Sequence, residues 1–173
     1  QLVDLSFLGK LKGSALTNDQ IAVPEYDGGS SIPDTYVPSR NIIFLSVLSS
    51  MAETLGAEKI IIGASSIDYS GYPDCRPEFF QAFQQTLDLG TKTGVEDKGI
   101  SIETPLIDLS KAQTIKKGMA LGVDYSMSIS CYSANAQGEA CGKCDSCYLR
   151  KKGFQDAGIA DPTRYVKHNI SIQ

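Results

Sequence analysis

Four of the five cysteines crowd into one short stretch, CYSANAQGEACGKCDSC, as Cys131, Cys141, Cys144 and Cys147. No other feature restricts the fold of this chain as tightly. The two-residue gaps let neighbouring thiolates turn onto one metal, and the nine-residue gap lets a loop fold back and close the fourth side. Gly142 relieves the turn between the second and third ligands, and Lys143, Arg150, Lys151 and Lys152 offset the thiolate charge. Zinc takes four thiolates as a tetrahedron, and a shell filled by protein leaves no position for water. The pattern therefore predicts a structural zinc, one per chain, rather than a catalytic one. An iron–sulfur cluster or two disulfides are the blander readings of the same spacing. A secreted disulfide scaffold usually spreads an even number of cysteines along a short chain, and this set of five, four clustered and Cys75 alone, fits a metal in a reducing cytoplasm better.

The rest of the sequence alternates between strand-like and helix-like segments. Residues 2–8 read as a strand, and 9–38 as a long polar connection, which in a compact domain is usually functional or mobile. Ser39 is placed to cap a helix over 40–55 that Gly56 ends. Ile42, Ile43, Phe44, Leu45, Val47, Leu48, Met51, Ala52 and Leu55 cover most of its circumference, so it should be largely buried. KIIIGA, residues 59–64, is a short continuous apolar run typical of a buried parallel strand.

Pro77 suits the first position of a second helix, which ends near Gly90. Residues 91–99 are a turn region, and ISIETPL supplies the next strand. Ser110 and Gln113 form a capping box for a third helix that Gly122 ends. After the zinc element, about 131–150, a last helix begins around 144–147, and residues 165–172 could add a strand. Strands alternating with helices imply an α/β fold with a parallel sheet flanked by helices, wound by right-handed crossovers. A single α/β domain over 1–173 with a small C-terminal four-cysteine zinc element is the expectation.

With 173 residues, 42% of them hydrophobic, the chain can bury a core, and its net charge of −4 argues against holding nucleic acid by bulk charge. No apolar run reaches the roughly 18 residues of a membrane span. The opening after Gln1 reads as a strand already under way, so the chain is expected to be the later part of a longer, cytoplasmic protein.

Parallel sheets bind ligands at the C-terminal ends of their strands. The loop after KIIIGA lies there and is dense with polar groups, DYSGYPDCRPE. Asp68 and Asp74 could bind magnesium or a base edge, and Arg76 a phosphate or carboxylate. A plain surface turn punctuated by Gly and Pro is the alternative. Cys75 could be a nucleophile, although a lone cysteine is more often a small packed residue. Arg40 and Asn41 open the first long helix, where an arginine makes an anion site, or simply a surface ion pair. Gly28, Gly29 and Ser30 lack the strand and helix of a phosphate loop and read as a flexible turn. The one histidine, His168, has no assigned role, and no Ser–His–Asp set can be built.

Four stretches together resemble the 7-cyano-7-deazaguanine synthases: VPSRNIIFLSV, IDYSGYPDCRPEFFQAF, TPLIDLSKAQTI and SCYSANAQGEACGKCDSCYLRKKGFQDAGIADPTRY. They lie between residues 36 and 165. The resemblance implies an adenine-nucleotide alpha-hydrolase fold and an ATP-dependent ligase of queuosine biosynthesis. Such an enzyme turns 7-carboxy-7-deazaguanine and ammonia into the 7-cyano product through adenylated intermediates, with magnesium on the ATP. It also implies a homodimer with small-molecule substrates, and neither nucleic acid nor membrane as partner. The four cysteines become zinc ligands, and Arg40, Asn41, Asp68, Tyr69, Asp74, Arg76 and Glu78 become the substrate and nucleotide candidates. No residue is singled out as catalytic. The Ser-Gly-Gly-x-Asp-Ser phosphate loop of the family is absent, with the strand and helix that would carry it, so the 173-residue chain alone is expected to be inactive. A tRNA-thiolating enzyme of the same fold and a non-catalytic zinc module are the competing readings. Only Cys75 lies outside the cluster, which disfavours the first. The strand–helix units exceed what the second requires.

Overall fold

The computed structural model describes residues 2–29, 31–66 and 71–167. The chain divides into two compact units, one of Gln1–Asn18 with Ser30–Leu109, the other of Asp19–Gly29 with Ser110–Gln173.

The first unit is built on a parallel sheet of β1 (Lys59–Ile61) and β2 (Ser101–Glu103), paired Lys59 to Ser101, Ile60 to Ile102 and Ile61 to Glu103. Helices α2 (Arg40–Leu55) and α3 (Pro77–Gly90) flank it. Leu45 and Ala52 from α2, Ile60 from β1, Phe80 and Leu87 from α3, and Ile100 beside β2 share one buried cluster. Gly56 ends α2 at φ 66°, a left-handed conformation in which glycine avoids the Cβ clash. Gln84 of α3 satisfies the side of β2 that faces away from β1: its Nε2 donates to the Ile100 carbonyl at 2.9 Å, and its Oε1 accepts the Ile102 N–H at 2.7 Å. A side chain thus does the work of a further strand there.

The helix over 40–55 is less buried than its apolar content predicts. Its buried positions are Asn41, Leu45, Ser49 and Ala52, one stripe at helical spacing, while Ile42, Leu48 and Leu55 are exposed. A two-stranded sheet offers the helix one apolar surface, so one stripe is fully covered, while Ile43, Phe44, Val47 and Met51 are half-buried.

The expected strand over 2–8 is not formed. The Asp4 carboxylate accepts the Ser6 N–H at 2.8 Å and turns the chain into a one-turn helix, α1 (Phe7–Lys10). That local bond competes with an extended conformation. The turn region after α3 contains a second short helix, α4 (Lys92–Val95), capped by Thr91 through its bond from the Gly94 N–H.

In the second unit α5 (Lys111–Ala120) begins with the predicted capping box, Ser110 and Gln113 exchanging backbone and side-chain bonds. It packs against α6 (Asp145–Ala157) around Ile115, Phe154 and Ala157. Gly153 permits the close approach, since a Cβ there would lie 2.6 Å from Lys111 Cβ. Of the strand expected over 165–172, Tyr165 forms a single bridge with Ala140, and 168–172 lie outside the described residues. Among the described residues no helix is long and apolar enough to cross a membrane.

Candidate metal centre and ligand cavity

The thiol sulfurs of Cys131, Cys141, Cys144 and Cys147 all lie within 4.8 Å of one another. Zinc–sulfur bonds of about 2.3 Å in a tetrahedron place the sulfurs about 3.8 Å apart, and Cys141 Sγ and Cys147 Sγ stand at 3.9 Å. Gly142, at φ 77°, makes the turn between the second and third ligands. Cys147 sits in the first turn of α6 and Cys144 at its cap, and both are buried.

Backbone N–H groups point at the sulfurs. Ser133 and Cys141 donate to Cys131 Sγ at 3.3 and 3.2 Å, and Lys143 donates to Cys141 Sγ at 3.5 Å. Such donors favour thiolates over thiols. Burial pushes the Cys131 and Cys147 thiols up. Burial also opposes ionisation of Cys141, but the Lys143 and Cys144 N–H groups and the neighbouring thiols outweigh it and hold it at about 7. Four thiolates this close need a cation among them, so the donor set suits a metal ion closed off from solvent.

The segment 19–29 is fastened to this element. The Tyr26 N–H donates to the Lys143 carbonyl at 2.9 Å, and the Tyr26 and Tyr148 rings stack at 3.8 Å and 12°. Lys143 pairs with Glu25 at 2.9 Å, and Val23 packs on the cysteine cluster. On the other side, Arg150 of α6, 8% exposed, is held by Asp161 Oδ1 at 3.1 Å and donates to Ser128 Oγ and the Tyr125 carbonyl. Tyr165 OH donates to Asp161 Oδ2 at 2.6 Å.

In the first unit, a cavity of about 330 Å³ opens beyond the C-terminal end of β1, lined by Ile32, Ser65, Ser66, Tyr72, Cys75 and Arg76 among others. Ser65 Oγ and Ser66 Oγ donate to the carbonyls of Leu109 and Ile107 at 3.0 and 2.8 Å, which fixes the loop leaving β1. Tyr72 OH and Thr35 Oγ1 lie 2.9 Å apart in a buried pair, and the Arg40 guanidinium sits 5.7 Å from the Tyr72 ring centre.

The candidate residues from the sequence divide by role. Asn41 and Asp74 meet and are buried. The Asn41 N–H donates to Asp74 Oδ2, and Asn41 Nδ2 donates to the Asp74 carbonyl at 2.9 Å and to Cys75 Sγ at 3.4 Å. Asp74 thereby caps α2, a role expected of Ser39. Ser39 instead has φ 58° and makes no side-chain cap bond. Arg76 lines the cavity, and Glu78 is exposed in the first turn of α3. Asp68 and Tyr69 lie outside the described residues, as do Ser30 and His168. Gly28 has φ 74°, and the Gly29 N–H donates to Asp27 Oδ1 at 2.7 Å, a local turn. Sequence reasoning passed over Ser65, Ser66 and Tyr72. The position of the two serines as the first polar residues after KIIIGA was the available signal.

The family model described as queuosine biosynthesis protein QueC matches residues 1–158. A curated 7-cyano-7-deazaguanine synthase of Coxiella burnetii (strain RSA 493 / Nine Mile phase I) is 63% identical over 166 residues, covering 96% of this chain and 73% of that relative. One of Saccharophagus degradans is 60% identical over 163 residues, covering 94% of this chain and 71% of the relative. One of Acinetobacter baylyi is 58% identical over 164 residues, covering 95% and 70%.

Proposed function

The chain belongs to the QueC family of queuosine biosynthesis proteins, and from that premise we propose that it is the ATP-dependent ligase part of a 7-cyano-7-deazaguanine synthase. The observation that carries this reading is the 63% identity to synthases of that name over 96% of the chain.

A carboxylate resists nucleophiles until one of its oxygens becomes a good leaving group. The substrate carboxylate attacks the α-phosphorus of ATP, pyrophosphate leaves, and an acyl adenylate forms. Ammonia displaces AMP, which carries away one carboxylate oxygen, and gives the amide. The amide oxygen attacks the α-phosphorus of a second ATP, and a second pyrophosphate leaves. Loss of AMP, with the two amide protons passing to base, leaves the nitrile. Magnesium supplies the positive charge that offsets the phosphates of ATP. The protein's part is to hold the carboxylate and the α-phosphate in line.

Zinc on Cys131, Cys141, Cys144 and Cys147 gives the second unit its shape and takes no part in the chemistry, since a shell of four thiolates leaves no open position. We also propose a cytoplasmic homodimer. The exposed Ile42, Leu48 and Leu55, which flank the buried stripe of α2, support an apolar contact along that helix.

Incubating the full-length protein with 7-carboxy-7-deazaguanine, ammonium and ATP and reading the products by mass tests the reading. The nitrile is expected, and folded protein that yields neither amide nor nitrile contradicts it.

A further inference from the structure

We propose that the outer edge of β2 docks an extended, basic peptide segment of a partner protein, which adds to the sheet as a short parallel strand.

In the pairing of β1 with β2, Ser101 and Glu103 turn their main-chain groups toward β1. The Ser101 N–H donates to the Glu58 carbonyl at 2.9 Å, and the Glu103 carbonyl accepts the Ile62 N–H at 3.0 Å. Ile100, Ile102 and Thr104 alternate with them and turn their main-chain groups outward. Gln84 takes the Ile100 carbonyl and the Ile102 N–H. The next two groups along the edge, the Ile102 carbonyl and the Thr104 N–H, have no partner among the described residues. An open strand edge is a template for another strand. One residue of a strand parallel to β2 satisfies both groups: its N–H donates to the Ile102 carbonyl, and its carbonyl accepts the Thr104 N–H.

A groove of about 440 Å³ runs beside these two groups, with Phe80, Gln81 and Gln84 of α3 on one side and Ile102, Thr104 and Asp108 on the other. Phe80 is buried and Ile102 half-buried, which gives the groove an apolar floor for alternate side chains, while Gln81 and Asp108 are exposed at its rim. Asp108 is the one charged side chain among the described residues that line the groove, and it forms no ion pair among them. The complement of that rim is a lysine or arginine on the incoming segment.

A second copy of this chain fits the edge poorly. Two copies joined edge to edge across a two-fold axis pair antiparallel, and an antiparallel pair exchanges both main-chain bonds of one residue. The Ile102 N–H is already spent on Gln84, and the Thr104 carbonyl on the Ile107 N–H. Neither residue has both groups to offer, whereas a parallel segment needs only the two that are open.

Dodecapeptides selected from a displayed random library on the full-length protein are the probe, titrated by fluorescence polarisation with amide exchange read alongside. The selected peptides are expected to carry lysine or arginine and to slow exchange of the Thr104 N–H. Asp108→Lys should weaken them about 10-fold or more, the effect of turning attraction into repulsion. Asp108→Asn should fall between, and methylating the peptide nitrogen that pairs with Ile102 should abolish binding. Thermal unfolding checks that both variants keep the fold, as an exposed side chain without an ion pair allows. Recovery of no peptide that slows Thr104 exchange overturns the proposal, as do peptides that slow it yet bind Asp108→Lys as tightly as wild type. Thr104 exchange that slows with protein concentration alone also overturns it and gives the edge to a second copy.

Discussion

Asn41 and Asp74 bind each other twice, through the Asn41 N–H to Asp74 Oδ2 at 3.0 Å and through Asn41 Nδ2 to the Asp74 carbonyl at 2.9 Å. The first bond caps α2 from a residue thirty-three positions away. The second ties the loop before α3 to the same helix end. Asp74→Ala removes a cap and leaves a buried N–H without an acceptor, so unfolding in urea is expected to be easier by about 2–4 kcal/mol. Asp74→Asn, which keeps an acceptor oxygen, should lose less. A change below about 0.5 kcal/mol for the alanine variant would show that the pair holds nothing.

Arg150 and Asp161 form the corresponding lock in the second unit, with 8% and 12% of their side chains exposed. Asp161→Asn strands a buried guanidinium and is expected to cost about 3 kcal/mol or more. Burial raises the Asp161 carboxyl, but Tyr165, Thr163 and Arg150 outweigh it and hold it below its ordinary 3.8. A depressed folded value means the carboxylate stabilises the fold above that ordinary value and stops doing so as pH falls through the folded one. Wild-type stability should therefore drop below about pH 4 more steeply than that of Asp161→Asn. Parallel acid profiles of the two proteins would contradict this.

Metal removal should reach beyond the cysteines. Freshly purified protein is expected to hold one zinc per chain, and a ratio near zero would overturn the zinc assignment. Chelation, or Cys144→Ser, should speed amide exchange at Tyr26, whose N–H is bonded to the Lys143 carbonyl between two ligands. Exchange at β1 and β2 is expected to stay unchanged. Unchanged exchange at Tyr26 on metal loss would show that segment 19–29 is held without the metal.

Tyr26→Ala separates the strap from the metal. Losing the stack on Tyr148 costs about 1 kcal/mol, so proteolysis within 19–29 should rise several-fold while zinc content stays the same. Loss of zinc together with the strap would show that the two form a single cooperative element.

Local signals in the sequence carried over well where one residue decides the outcome. The Ser110–Gln113 capping box, Pro77 at the start of α3 and Gly56 at the end of α2 all work through neighbours a few positions away. The cysteine spacing was equally legible, because a tetrahedron of thiolates admits few chain paths. Long-range capping was not legible. Ser39 has the composition of a cap, yet Asp74 fills that role, and no local pattern encodes a donor–acceptor pair thirty-three residues apart. The strand over 2–8 failed for a different reason: its apolar pattern is compatible with a strand, but the Asp4–Ser6 turn satisfies the backbone locally instead. The residues of the cavity were only partly legible. Arg76 carries its chemistry in its name, whereas Tyr72 matters through a fixed orientation that its distant partner Thr35 supplies.

The most direct test of the ligase account follows oxygen. With both carboxylate oxygens of 7-carboxy-7-deazaguanine labelled with heavy oxygen, activation through adenylates sends each of them into AMP. Mass analysis is expected to show two AMP per nitrile, each carrying one labelled oxygen, with pyrophosphate unlabelled. Label appearing in inorganic phosphate, with ADP as the nucleotide product, would contradict the account.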